Sequence, residues 1–237
     1  APLLLNQPSN NINTLKVRLN ANIRANHLAK SAIETALLDL NGKQQGLSVS
    51  QLLGGAIHQH LPVLWVLASG DTAKDIDEAQ AMIAAKRHCV FKLKIGSRPV
   101  MEDVKHVAAI KAALGDSVSI RVDVNQAWDE STATKGMQAL QSAGIDWVEQ
   151  PTPTKDFASL VRLSQKFTIP ILADESINDA TDGFQLAAAG FSGSYALKIA
   201  KSAGPIGALK LASVAQASGI GLYGGTMLEG TIGTVAS

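Results

Sequence analysis

The sequence predicts an α/β fold, a TIM-like (β/α) barrel, on three observations. Short aliphatic segments alternate with amphipathic helical stretches, and the unit recurs roughly every 25 residues, as strand–helix repeats do. Helical crossovers of that length return the chain to the same edge of a sheet, so the strands run parallel. Two strands also alternate between apolar and polar residues, whereas an open doubly wound sheet buries both faces and reads as near-continuous apolar runs. A closed barrel gives the polar face an interior and gathers functional groups at its C-terminal mouth.

Residues 1–20 are rich in Asn and hold no sustained period, so they are expected to form a loop or a remnant. From Ala29 to Lys43 the positions Ala32, Ile33, Ala36, Leu37 and Leu40 keep helical spacing, with Gly42 as a stop signal. Residues 1–60 therefore read as an N-terminal remnant and a linking helix, and residues 61–237 as the barrel. Its seven predicted strands are Val63–Ala68, Val90–Ile95, Val118–Val124, Trp147–Glu149, Ile171–Asp174, Tyr195–Ile199 and Ile220–Tyr223. Helices are expected between them, as at Asp103–Leu114, Thr132–Ala143 and Gly204–Ser218. Along Val118–Asn125 every even position is aliphatic and every odd one polar, which sends Asp123 to the non-helical face. In the strand before it, Phe91, Leu93 and Ile95 share one face and Lys92 and Lys94 the other.

Composition narrows the partners. With 46% apolar and 17% charged residues the chain can bury a sizeable core, and 21 basic against 20 acidic side chains create no field for nucleic acid or an anionic membrane. No apolar run approaches the ~18 residues of a membrane span, and the opening Ala1–Leu5 is too short for a signal core. One cysteine, Cys89, excludes an intrachain disulfide framework and fits a cytoplasmic location; it is expected to be a small buried side chain. His58 and His60 lie in a polar connection without nearby acids and are expected to be solvated. A small-molecule partner remains.

The chemistry sits at the strand ends. Asp123, Glu149 and Asp174 close three successive strands, which converge in a barrel, and three carboxylates brought together repel one another unless a cation joins them. Hard oxygen donors suit Mn²⁺ or Mg²⁺. The alternative is that each acid caps the following helix or pairs with a nearby base. Lys92 and Lys94, at i and i+2, point into the barrel, where mutual repulsion and the cation favour a neutral amine able to act as a general base. Lys198, inward on the sixth strand, offers another ammonium; it could instead serve a structural salt bridge, or form a Schiff base in a metal-independent aldolase. A metal with a lysine suits proton transfer next to a carboxylate, through an enolate that the metal stabilises.

Five motifs in order, Phe-Lys-Leu-Lys-Ile-Gly (91–96), Arg-Val-Asp-Val-Asn-Gln (121–126), Glu-Gln-Pro (149–151), Ala-Asp-Glu-Ser (173–176) and Ala-Leu-Lys-Ile-Ala-Lys (196–201), resemble the muconate-lactonising subgroup of the enolase superfamily. The glycine-rich stretch 221–234 adds to that resemblance. It implies the C-terminal barrel domain of that superfamily and a Mn²⁺ or Mg²⁺ enzyme that interconverts cis,cis-muconate and muconolactone in bacterial catechol degradation. It further implies Lys94 as the acid/base, Lys92 as its tuning partner, and Lys198 as charge stabiliser across the ring. Asn125 and Glu175 would support the metal shell, and Glu229 would lie beside the pocket. Homo-oligomers, often octamers, are implied as well. Related activities use the same groups: chloromuconate cycloisomerisation, dipeptide epimerisation, N-acylamino-acid racemisation and succinylbenzoate synthesis. Set against the family, the chain is expected to be an internal piece, lacking most of the capping domain and the eighth barrel unit.

Overall fold

The computed structural model describes residues 2–237. The chain divides into two units: the residues up to His60 with Asn178–Phe184 and Ala196–Ser237, and Leu61–Ile177 with Gln185–Tyr195. In chain order the elements are α1 (Ile12–Asn22), α2 (His27–Gln45), α3 (Val49–Leu52), β1 (Trp65–Leu67), α4 (Thr72–Ala84), β2 (Val90–Lys94), α5 (Val100–Leu114), β3 (Ser119–Asp123) and α6 (Glu130–Ser142). They continue with β4 (Trp147–Glu149), α7 (Phe157–Lys166), β5 (Ile171–Ala173), α8 (Ala180–Ala188), β6 (Ser194–Leu197), α9 (Pro205–Ala217), β7 (Gly221–Gly224) and α10 (Thr231–Ala236). All seven predicted strands are present, displaced by at most two residues at either end. They lie in the sheet in sequence order, β1 to β7, with no reversal. The pairs β1–β2 through β5–β6 are parallel, which is the winding of a (β/α) barrel and not of a doubly wound sheet. Among the described residues no helix is long and apolar enough to cross a membrane.

Three of the helices, α4, α6 and α7, start where an aspartate accepts an orphan N–H group, whereas α5 starts after Pro99 without a side-chain cap. Asp71 accepts from Lys74 N, Asp129 from Thr132 N and Asp156 from Ser159 N. Those backbone donors hold the Asp71 and Asp129 carboxyls below the usual carboxylate range. The aliphatic strand faces meet the helices: Phe91, Ile120, Val122, Val148 and Ile171 are wholly buried, as are Ile110, Met137, Leu140 and Leu160. In register, Lys94 pairs with Asp123 and Asp123 with Glu149, so one row of the sheet carries a base and two acids.

Three expectations are corrected. Residues 12–22 form α1 instead of loop: Asn11 caps it by accepting from Thr14 N, and Leu15 and Leu19 are buried. Lys16 of α1 ion-pairs with the buried Glu34 of α2, which also accepts from Ile206 N at 2.6 Å. Packing overrides weak propensity there. Gly42 does not end α2, which runs to a left-handed Gly46 (φ 68°). Gly42 instead lets the chain return closely, since a Cβ there would stand 2.6 Å from Leu47 O. Cys89, expected to be buried, is exposed, because it precedes the first residue of β2 and its core-facing row. His58 and His60 are exposed as expected.

Candidate active site

The polar row at the strand ends assembles a tight charge cluster. Lys92 Nζ donates to Glu149 Oε2 at 3.0 Å and to Asp123 Oδ2 at 3.4 Å. Lys94 Nζ donates to the same Asp123 oxygen at 3.3 Å and to Asn125 Oδ1 at 2.8 Å. Asn125 Nδ2 in turn donates to Glu175 Oε1 at 3.1 Å, and Asn125 N to Asp123 Oδ1. Burial separates the partners: the Asp123 and Glu149 side chains are 3% and 5% exposed, Lys92 is 15% exposed, and Lys94 is 57% exposed. Lys94 is thus an accessible amine held over buried carboxylates.

At Glu149, burial together with the neighbouring carboxylates outweighs the Lys92 ammonium. The Glu149 carboxyl is pushed up to about 7, first by burial and then by Asp123, with Asp174 adding to the effect and Lys92 opposing it. Glu175 Oε2 is also buried, without a hydrogen-bond partner among the described residues. An all-oxygen donor set of neighbouring carboxylates fits a hard divalent cation. Among the described residues no three His, Cys, Asp or Glu side chains already stand in ion-holding geometry. The positive charge joining Asp123 to Glu149 is instead the ammonium of Lys92. Of the alternative roles, helix capping has little left to explain, because Asp129, Asp156 and Asp179 accept from the first N–H groups of α6, α7 and α8, whereas pairing with bases is present at Asp123 and Glu149.

One positioning residue escaped the sequence reading. Gln150 is fully buried and in left-handed backbone (φ 35°). Its Nε2 donates to Thr152 O and Ser176 Oγ, while its Oε1 accepts from Asp174 N and Ser176 N. The amide therefore clamps the end of β4 to the end of β5 and fixes Glu149 and Asp174 as neighbours. Asn125 (φ 45°) and Gln126 (φ 68°) carry the same strained backbone after β3.

Lys198 and Glu229 belong to the other unit. Lys198 is 9% exposed and follows β6; its side chain packs against Gly225, where a Cβ would stand 3.0 Å from Lys198 Cε. Both Glu229 carboxylate oxygens are buried and have no hydrogen-bond partner among the described residues.

Residues 74–237 match the family described as Enolase C-terminal domain-like, and residues 1–54 match the Mandelate racemase / muconate lactonizing enzyme N-terminal domain. Muconate cycloisomerase 1 of Pseudomonas putida is 55% identical over 237 residues, which are 100% of this chain and 63% of that protein. A chloromuconate cycloisomerase of Cupriavidus necator is 43% identical over 100% of this chain and 64% of its own length. A crystal structure of muconate lactonizing enzyme from Klebsiella pneumoniae superposes with a TM-score of 0.96 at 60% identity, covering 100% of this chain and 66% of that one. The chain thus spans a little under two thirds of the length of these relatives. Its parallel strands in unbroken order are those of the TIM-like enolase C-terminal domain, and the chain belongs to the mandelate racemase / muconate lactonizing enzyme family of the enolase superfamily.

Proposed function

We propose that this chain carries the reactive barrel face of a cycloisomerase that interconverts cis,cis-muconate and muconolactone through an enolate. The observation that carries the reading is the single row Lys94–Asp123–Glu149, with an exposed amine above two buried acids. Asp123, Glu149 and Asp174 would hold Mn²⁺ or Mg²⁺, which supplies positive charge to a substrate carboxylate and to the enolate. In lactonisation, one carboxylate oxygen of the substrate adds to the conjugated system and forms the ring C–O bond. The displaced electron pair collects as an enolate next to the other carboxylate. Lys94, aimed by Asp123 and Asn125, delivers its proton to that enolate carbon and takes it back in the reverse direction. Lys92 fixes the carboxylate pair and faces the substrate carboxylate as a cation. By resemblance to the family, Lys198 is assigned the stabilisation of charge on the substrate, and Glu229 a supporting role. The enzyme is taken to work as a cytoplasmic homo-oligomer.

Relatives acting on muconate and on chloromuconate both match the whole chain, so chlorinated muconates form the second substrate reading. The test is purified protein with Mn²⁺ and either diene in D₂O, followed by ultraviolet absorbance and mass spectrometry. Loss of diene absorbance with one deuterium in the lactone side chain is expected, and the faster substrate identifies the natural class. Activity that survives EDTA, or borohydride trapping of substrate on Lys198, would overturn the reading in favour of Schiff-base chemistry.

A further inference from the structure

A cleft of about 490 Å³ lies wholly within the unit that contains α1, α2 and α9. That volume is within the roughly 300–1,000 Å³ of small-molecule sites. Its walls come from the α1–α2 turn, the start of α8 and the loop before α9. Lys16, Arg24, Lys30 and Lys210 face it, against one carboxylate, Asp179. The concentration is local, since the whole chain carries a formal charge of only +1.

These charges are largely unspent. Asp179 is committed to the α8 N-terminus, where Oδ1 accepts from Thr181 N and Asp182 N. Lys16 is paired with Glu34. Lys30 is 9% exposed, and its ammonium makes one hydrogen bond among the described residues, to Ile23 O at 2.8 Å. A buried ammonium satisfied by a single neutral carbonyl is costly unless an anion joins it. The side chains of Arg24 and Lys210, exposed at the rim, have no ion pair or hydrogen bond among the described residues. Ser202, 2% exposed on the same wall, has a hydroxyl with no hydrogen-bond partner among the described residues. His27 also lines the cleft and is held by the bond between Nδ1 and Lys201 O at 2.6 Å; because a carbonyl only accepts, Nδ1 carries the proton.

We propose that this cleft is a binding site for a small dianion, of the class shared by inorganic phosphate and short dicarboxylates, distinct from the Lys92/Lys94 cluster. Lys30 supplies the buried charge at its base, and Arg24 and Lys210 close on the ligand from the rim. Ser202 is the neutral donor available to it. The volume and the confinement of the charge favour a compact ligand over a polymer such as nucleic acid, which would need a basic stripe along the surface.

The test is calorimetric titration of the protein with sodium phosphate and, separately, with sodium succinate. Both are run in about 100 mM NaCl, where screening over ~10 Å suppresses diffuse attraction. One-to-one binding of at least one anion is expected, and the tighter of the two names the ligand source. Arg24→Ser combined with Lys210→Ser, both at exposed positions, should weaken it by at least about tenfold without shifting the thermal midpoint. Lys30→Met should abolish it, and the double variant keeps the test decisive if Lys30→Met does not fold. Lys94→Met should leave it unchanged, which separates this site from the reactive cluster. Absence of binding to either anion, equal affinity in the rim variant, or loss in Lys94→Met alone would overturn the assignment.

Discussion

Lys94→Met should remove the chemistry while leaving the fold almost untouched. The side chain is 57% exposed and makes two polar contacts, to Asp123 Oδ2 at 3.3 Å and Asn125 Oδ1 at 2.8 Å. An ion pair this exposed is worth at most about 1 kcal/mol after solvent screening. Asp123 also retains Lys92 as a counter-charge, so no buried carboxylate is orphaned. The loss of a general acid, by contrast, lowers kcat by ~10²–10⁴, or about 3–5 kcal/mol of barrel-mouth catalysis. Lys92→Met provides the contrast. Lys92 is 15% exposed and bridges both Asp123 and Glu149, so its removal should cost about 2–3 kcal/mol of stability as well as activity. The assays are kcat and KM from diene absorbance, together with the urea midpoint of each variant. Lys94→Met with kcat within tenfold of the parent, or with a stability loss equal to that of Lys92→Met, would refute the assignment of Lys94 as proton donor.

Gln150→Ala removes an amide bonded to Thr152 O, Ser176 Oγ, Asp174 N and Ser176 N. It should lower stability by about 3 kcal/mol and weaken Mn²⁺ binding in calorimetry; unchanged Mn²⁺ affinity would show that Gln150 does not position the acids. Gly136→Ala places a Cβ 2.7 Å from the Trp128 ring and 2.9 Å from Val100 Cγ2, so a loss of about 1–3 kcal/mol in urea unfolding is expected. A midpoint equal to that of the parent would mean that Trp128 yields freely. Arg162, with Ser159, holds Glu130 down to about 2, below its ordinary 4.5. A carboxyl with a lowered folded-state pKa contributes stability above 4.5 and loses it as pH falls toward 2. Arg162→Met should therefore flatten the acid limb of the stability profile between those values, and an unchanged limb would contradict the pairing.

Periodicity carried the barrel strands because alternation is a local property. Val118 to Asn125 announces its two faces residue by residue, and Lys92, Lys94 and Asp123 point where that alternation sends them. Helix α1 was not legible, since its Asn-rich sequence has weak propensity and is held by Leu15, Leu19 and the Lys16–Glu34 pair. Gln150 is not legible in the sequence because a neutral amide beside an acid carries no local signal; its role exists only once β4 and β5 lie side by side. The ammonium of Lys92 between Asp123 and Glu149 is likewise a tertiary result of the parallel register. The basic cleft joins residues nearly two hundred positions apart, from Arg24 to Lys210, which no window along the chain can bring together.

Whether Asp123, Glu149 and Asp174 share one cation is decided by soaking crystals of the protein with Mn²⁺ and recording anomalous scattering. One peak is expected within about 2.0–2.6 Å of oxygens from Asp123, Glu149 and Asp174, with the Lys92 ammonium withdrawn from between Asp123 and Glu149. A peak elsewhere, or no peak while Lys92 stays lodged between those two carboxylates, would contradict a shared cation.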